Sequence, residues 1–298
     1  MTRISAFAFS TAVALLAALP AAAQQTFPTP EAASKALLDA AKAGEPGFVE
    51  RIFGAEAKDL LSSGVPEEDK ERLARFNAAA AESAALVPAG DTKRILRLGR
   101  RGFDFPFPIV RKGDAWTFDV AAGREELLNR TIGENELHAI EACRTFVEAQ
   151  KEYFRLDRDD DRVPEYAQRI LSSPGKRDGL YWPRESQSDI SPLEGRIAQS
   201  VLERRTAGTE PYFGYNFRVL KAQGPAAPGG AHSYVINGNM IAGFALLAWP
   251  NDWGKSGVMT FICNQSGAIL EKNLGPRTAE AARAITRFDP DPSWTAVD

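Results

Sequence analysis

Asp157, Asp159 and Asp161 stand at alternate positions in a nine-residue acidic run, with Val163 and Glu165 following at the same spacing. Carboxylates spaced this way can converge on one hard cation. The Val163 carbonyl and Glu165 fall where a calcium loop places its next ligands, so calcium is the cofactor this run suggests. Two positions depart from that pattern. Arg162 occupies the place that needs a sharp backbone turn and is usually glycine, and Gln168 stands where a bidentate Glu would close the site. Arg162 could instead pair with the carboxylates, which leaves a solvated acidic loop or helix end as the other reading.

Other residues invite weaker chemistry. Tyr181, Trp182, Trp249 and Trp253 could line a groove for a glycan or peptide, or fill a core. Glu185, Asp189 and Glu194 lie near Trp182 and would be the carboxylates of a glycoside hydrolase if they converged. Gln223–Ala231, with Pro225 and Pro228 and followed by His232, reads as a long loop on a sheet and a candidate recognition surface. It lacks the Lys and following helix of a phosphate loop. His138 and His232 are too few for a three-histidine zinc site. No Gly-x-Ser-x-Gly elbow is present, and no catalytic residue is assigned. Cys143 and Cys263 are the only cysteines. They could form a bridge closing a long loop, or remain two buried thiols.

The elements that must position these residues are α+β. Thr29-Pro30-Glu31 opens a helix that Gly44 ends, short helices follow over Phe48–Phe53 and Ala55–Leu61, and Pro66 opens a longer one carrying Leu73, Phe76 and Ala80. Thr92–Leu98 reads as a strand, and Pro108–Lys112 and Ala115–Val120 as a hairpin about Gly113-Asp114. Helices are expected over Arg124–Arg130, from Asn135 to about Phe154, and from Ser191 to about Arg205, with a short amphipathic piece at Tyr166–Leu171. Eleven glycines between Gly208 and Gly275 punctuate strands at Phe213–Val219, Ser233–Ile236, Ile241–Trp249, Gly257–Cys263 and Ala268–Lys272. Asn237-Gly238 and Ser266-Gly267 fit tight hairpins, and Thr278–Phe288 closes with a helix. The expected domains are a small α+β subdomain over 24–130, helices then a short antiparallel sheet, and a subdomain over 131–298 with a long helix packed on an antiparallel meander.

Arg3, the apolar run Ala6–Leu19, Pro20 and the small residues Ala21–Ala23 read as a cleaved export signal over residues 1–23. The expected location is therefore periplasmic or secreted. The run is shorter than a membrane span needs, and no later apolar stretch is longer. A formal charge of −3 offers no electrostatic reason to bind nucleic acid. At 44% apolar and 25% charged residues, the chain is of ordinary globular composition.

The C-terminal motifs are distinctive. Gly214–Leu220, Ala222–Gly230, Gly243–Leu246, Ala248–Pro250, Ser256–Phe261, Leu274–Pro276 and Phe288–Asp291 join Asn135–Leu137 and Gly179–Pro183. Together they resemble the DUF2950 family of exported bacterial proteins of unknown function, over nearly all of the chain after the leader. The resemblance implies the exported state and these boundaries, and no catalytic residues. It also implies Asp-x-Asp-Gly-Asp-Gly across the acidic loop, where this chain has Asp160 and Arg162 in place of the glycines. The order of the first elements is similar to cone-shaped nuclear-transport-factor-2-type domains. The C-terminal helix, Asp-rich loop and Gly-rich sheet are similar to the globular part of pilins and pseudopilins, without their apolar helical stalk. The expected function is a non-enzymatic envelope module for binding or assembly, with an envelope protein or glycan as partner. The alternative is an envelope glycan or peptidoglycan hydrolase using carboxylates near Trp182.

Overall fold

A computed structural model describes residues 24–62, 64–194 and 211–297. The chain divides into one unit running up to Leu127 and another beginning at Leu128. The expected leader and the part of the Ser191–Arg205 helix after Glu194 lie outside the described residues. Ser191–Glu194 itself forms a turn.

In the first unit, α1 (Pro30–Ala43) starts where the Thr29 hydroxyl accepts the Ala32 N–H, and it ends at Gly44 in a left-handed conformation (φ 62°). Its Ala33, Leu37 and Ala40 are buried at helical spacing. Next come α2 (Phe48–Phe53), a 3₁₀ turn (Ala55–Ala57), α3 (Lys58–Leu61) and α4 (Pro66–Glu82). The sheet behind them runs in the order β1 (Ala84–Pro88), β2 (Lys93–Leu98), β4 (Ile109–Lys112) and β5 (Ala115–Phe118), with β3 (Phe103–Asp104) also on β2. All its pairings are antiparallel. Strand β1 carries no turn signal ahead of it and was not expected. Its partner β2 supplies the register, Leu86 opposite Leu96. The core is aromatic: the Phe53 ring lies 5.1 Å from Phe107 and 4.8 Å from Phe118.

One helix stands where two were expected. α5 (Val120–Tyr153) is capped by the Asp119 carboxylate, which accepts the Ala122 N–H at 3.1 Å. Asn135 does not cap a second helix; its Nδ2 donates to the Ser256 carbonyl at 2.9 Å. An interior glycine costs a helix only about 1 kcal/mol relative to Ala. At Gly123 that cost is offset by contact, because a Cβ there would lie 2.2 Å from the Phe107 ring.

In the second unit, α5 presents Ala139, Cys143, Phe146 and Val147 to the core formed with a five-stranded antiparallel sheet. The sheet order is β14 (Thr295–Ala296), β13 (Ile269–Asn273), β12 (Met259–Asn264), β11 (Ala245–Pro250) and β6 (Tyr215–Leu220). β11 to β14 form the meander, and β6 pairs with β11 so that Ala248 faces Phe217. Small hairpins lie outside it: β7 (Ala222–Gln223) with β8 (His232–Ser233), and β9 (Val235–Ile236) with β10 (Asn239–Met240). Asn237 and Gly238 both have positive φ, 51° and 97°, as a two-residue type I′ turn requires.

Several expected elements are shorter. Tyr166–Leu171 is irregular, held by bonds such as Tyr181 N–H to the Ile170 carbonyl. β6 begins at Tyr215 because Tyr212 and Tyr215 exchange backbone bonds around a tight turn at Phe213 and Gly214. The strand expected from Ile241 begins at Ala245, since Gly243 has φ 136° and the Gln265 side chain takes the Phe244 N–H. The closing helix α6 (Thr278–Ala284) stops where the Arg218 guanidinium donates to the Ala282 and Ile285 carbonyls.

Gly257 packs flat against the buried Tyr215 ring, whose hydroxyl donates to the Met259 carbonyl at 2.8 Å. A Cβ there would fall 2.3 Å from that hydroxyl. Gly257→Ala is expected to destabilise the protein by about 1–3 kcal/mol, read as a lower urea midpoint in equilibrium unfolding.

Candidate functional site

The acidic loop follows α5 directly and is closed by a buried amide. Gln150, in the last turn of the helix, donates Nε2 to the Ala167 carbonyl and accepts the Ala167 N–H on Oε1, both at 2.8 Å. This pair pins both ends of the excursion that contains Asp157–Glu165. Sequence reading missed Gln150, because an amide on a helix face signals nothing until its partner strand is placed.

Within the loop, the carboxylates of Asp157, Asp159 and Asp161 come within 4.8 Å of one another. Asp157 accepts the Arg162 N–H at 2.7 Å and the Asp159 N–H at 3.3 Å, and Asp161 accepts the Val163 N–H at 2.8 Å. Burial raises the Asp157 pKa, but these N–H donors outweigh it and hold the carboxyl below the usual range. Asp159 is pushed the other way, by desolvation and then by the negative charge of Asp161. Asp160 and Arg162 take left-handed backbone, with φ 62° and 70°, a conformation costing a non-glycine residue about 1–2 kcal/mol. The chain thus keeps the turns that glycine would ease. Glu165 does not join the three aspartates: its carboxylate accepts the Met240 N–H at 2.9 Å. Gln168 is occupied with the Gly238 carbonyl and Lys221.

The aromatics do not line an open groove at Trp182. Tyr181 and Trp182 are 3% and 4% exposed, part of the core. The Trp182 indole donates to Asp189 at 2.9 Å, and the Arg158 guanidinium lies over both Tyr153 and Trp182, 4.8 and 5.1 Å from their ring centres. Trp249 is half-buried beneath Arg218, and Trp253 donates to Asn273. The three carboxylates near Trp182 are all in ion pairs: Asp189 and Glu185 with Arg177, at 2.9 and 3.6 Å, and Glu194 with Arg184 at 2.6 Å.

The Gln223–Ala231 loop is organised from inside. The buried Gln223 donates to the Pro228 and Gly230 carbonyls at 2.7 and 2.8 Å and accepts the Tyr234 hydroxyl at 3.0 Å. Pro225, Pro228 and His232 are exposed around it, and the His232 Nδ1 lies 3.2 Å from the Gly230 carbonyl. His138 stacks on Phe213 with ring centres 3.7 Å apart. Cys143 and Cys263 are free and fully buried, meeting where α5 crosses β12; of the two readings, the structure has the pair of buried thiols. Burial, and then the neighbouring Cys143, push the Cys263 thiol well up.

A further feature lies in the first unit, where sequence reading placed no site. A cleft of about 760 Å³ opens between α1–α4 and the sheet. Phe53, Leu98 and Phe105 form a buried floor, and Leu61, Leu73 and Phe76 form half-buried walls. It exists because α4 buries no residue fully, so its apolar face stands off the sheet. The signal was present in Leu73, Phe76 and Ala80, but the pattern of a helix that packs is the same as that of a helix that flanks a cavity. Such volumes are typical of small-molecule sites, about 300–1,000 Å³.

This fold and these features characterise an α+β protein with an exposed acidic loop in its second unit and an open apolar cleft in its first. The chain belongs to the family described as protein of unknown function (DUF2950), whose model matches residues 24–297. No curated protein and no solved structure matches it. Among the described residues, no helix is long and apolar enough to cross a membrane.

Asp189 connects this geometry to pH. Its Arg177 partner holds the carboxyl down at about 2, against burial and with help from the Trp182 indole. An unfolded aspartate titrates near 4, so between about pH 2 and 4 the unfolded chain binds more protons. The stabilisation is therefore complete above about pH 4 and lost as pH falls toward 2. Asp189→Asn is expected to melt below the wild type at pH 7, and the gap is expected to close over that acid window in thermal unfolding.

Proposed function

We propose that this chain is an exported, non-enzymatic envelope module that binds an apolar ligand in the cleft of its first unit. The apolar cleft carries this reading: it is open, sized for a small molecule, and lined mostly by aliphatic and aromatic side chains, with its charged groups exposed. The export part rests on the pattern of residues 1–23. The hydrolase alternative draws less support. A glycoside hydrolase needs one carboxyl kept protonated as an acid, whereas Asp189 is held strongly ionised and Glu185 and Glu194 are paired with arginines.

The test is binding of an environment-sensitive apolar dye such as N-phenyl-1-naphthylamine. The purified protein should enhance its fluorescence. Leu73→Glu, which places a charge in the wall, should weaken dye binding by roughly tenfold or more, since desolvating that charge costs more than 1.4 kcal/mol. Dye binding that Leu73→Glu leaves unchanged would remove the cleft from the argument.

The acidic loop supports calcium as a stabilising ligand of the same module. Three carboxylates lie together, desolvation and then the charge of Asp161 raise the Asp159 pKa, and two non-glycine residues hold the strained turns that bring them there. Calcium is expected to raise the melting temperature by mass action, and Asp159→Ala is expected to abolish the shift. An identical melting curve in calcium and in chelator would leave the run as a solvated turn.

A further inference from the structure

Resting on the cleft as a binding site, we infer that its ligand is a monomeric single-chain amphiphile with an anionic head, of the long-chain carboxylate class. Two observations carry this. The interior is hydrocarbon and aromatic, and the polar groups in its lining beyond the charged side chains reduce to Ser62, whose hydroxyl donates to Asp69 at 2.6 Å. A sugar or nucleotide would leave its own polar groups unpaired there, at a cost an alkyl chain does not meet.

The charge on the margin is one-sided. Lys70, Arg72 and Arg75 line the cleft and are exposed, so their charges lie at its mouth. Asp69 is the one carboxylate in the lining. Helix α4 is rich in acids, but Glu67, Glu68, Glu71 and Glu82 are not part of the lining. Asp69 apart, the helix therefore sorts its charges, basic toward the mouth and acidic away, and Arg75 reaches a neighbouring acid, Glu71, at 3.7 Å. An apolar chain in the cleft with a negative head at the mouth satisfies both halves of this surface. A cationic head would meet three like charges.

Displacement of the apolar dye by three twelve-carbon probes, each below its micelle threshold, tests this. The probes are dodecanoate, dodecanol and dodecyltrimethylammonium. Dodecanoate should bind roughly tenfold tighter than either of the others at low salt, and the preference should shrink as salt is added. The double variant Arg72→Glu/Arg75→Glu, confined to exposed positions, should erase the preference while dodecanol still binds. Equal displacement by all three probes would overturn the anionic-head inference and leave the cleft as an apolar site. Failure of the dye and of all three probes to bind would overturn both.

Discussion

The buried amide of Gln150 is the contact on which the polar architecture of the second unit depends. It behaves like one residue of a missing strand, bonding both backbone groups of Ala167 in a place no water reaches. Unmade, each of those groups would cost about 1–3 kcal/mol. Because the bond is made, the chain leaving α5 must return to it, and everything between is a closed excursion. The acidic loop is the tip of that excursion. Tyr153, three residues further along the helix, continues the clamp by donating to the Arg177 carbonyl at 2.7 Å and by carrying the Arg158 guanidinium on its ring. Arg158 in turn covers Trp182, whose indole holds Asp189.

That chain of contacts explains why the residues most suggestive of chemistry are structural. Asp189 joins an arginine, an indole and a backbone N–H. Gln223 spends both ends of its amide on the loop it starts. Arg218 terminates α6 by supplying donors to carbonyls that the helix leaves open. A group whose hydrogen bonds and charge are already matched inside the fold has little left to offer a substrate. The acidic loop differs, since its three carboxylates repel one another and face solvent at Asp159 and Asp161.

The first unit solves a different packing problem. Its aromatic core of Phe53, Phe105, Phe107 and Phe118 is complete without α4. The helix therefore packs on it through only part of its face, with Phe76 5.6 Å from Phe105, Ala79 and Ala80 beside it and Asn77 donating to the Ala41 carbonyl, and leaves a gap on one side. Protein interiors are otherwise close-packed, so apolar surface left this open is where a ligand gains most from leaving water.

Local signals in the chain were sufficient for the α+β class, the caps of α1, the type I′ turn at Asn237-Gly238 and the meander strands, because each is decided by neighbours a few residues apart. The acidic spacing was legible for the same reason, and so was the approach of its three aspartates. The single continuous helix α5 was not: the local pattern suggested one helix over Arg124–Arg130 and another from Asn135, whereas Gly123 closes against the Phe107 ring and Asn135 bonds Ser256, contacts that only the fold provides. Nor were the roles of Gln150, Gln223 and Asp189, whose partners lie 17, 11 and 12 residues away, across turns that only the fold closes. The sequence by itself determined which faces are apolar and where the chain turns. Whether an apolar face meets a partner or lines a cleft was decided by tertiary structure, since that depends on how fully the other elements fill the core before the last helix arrives.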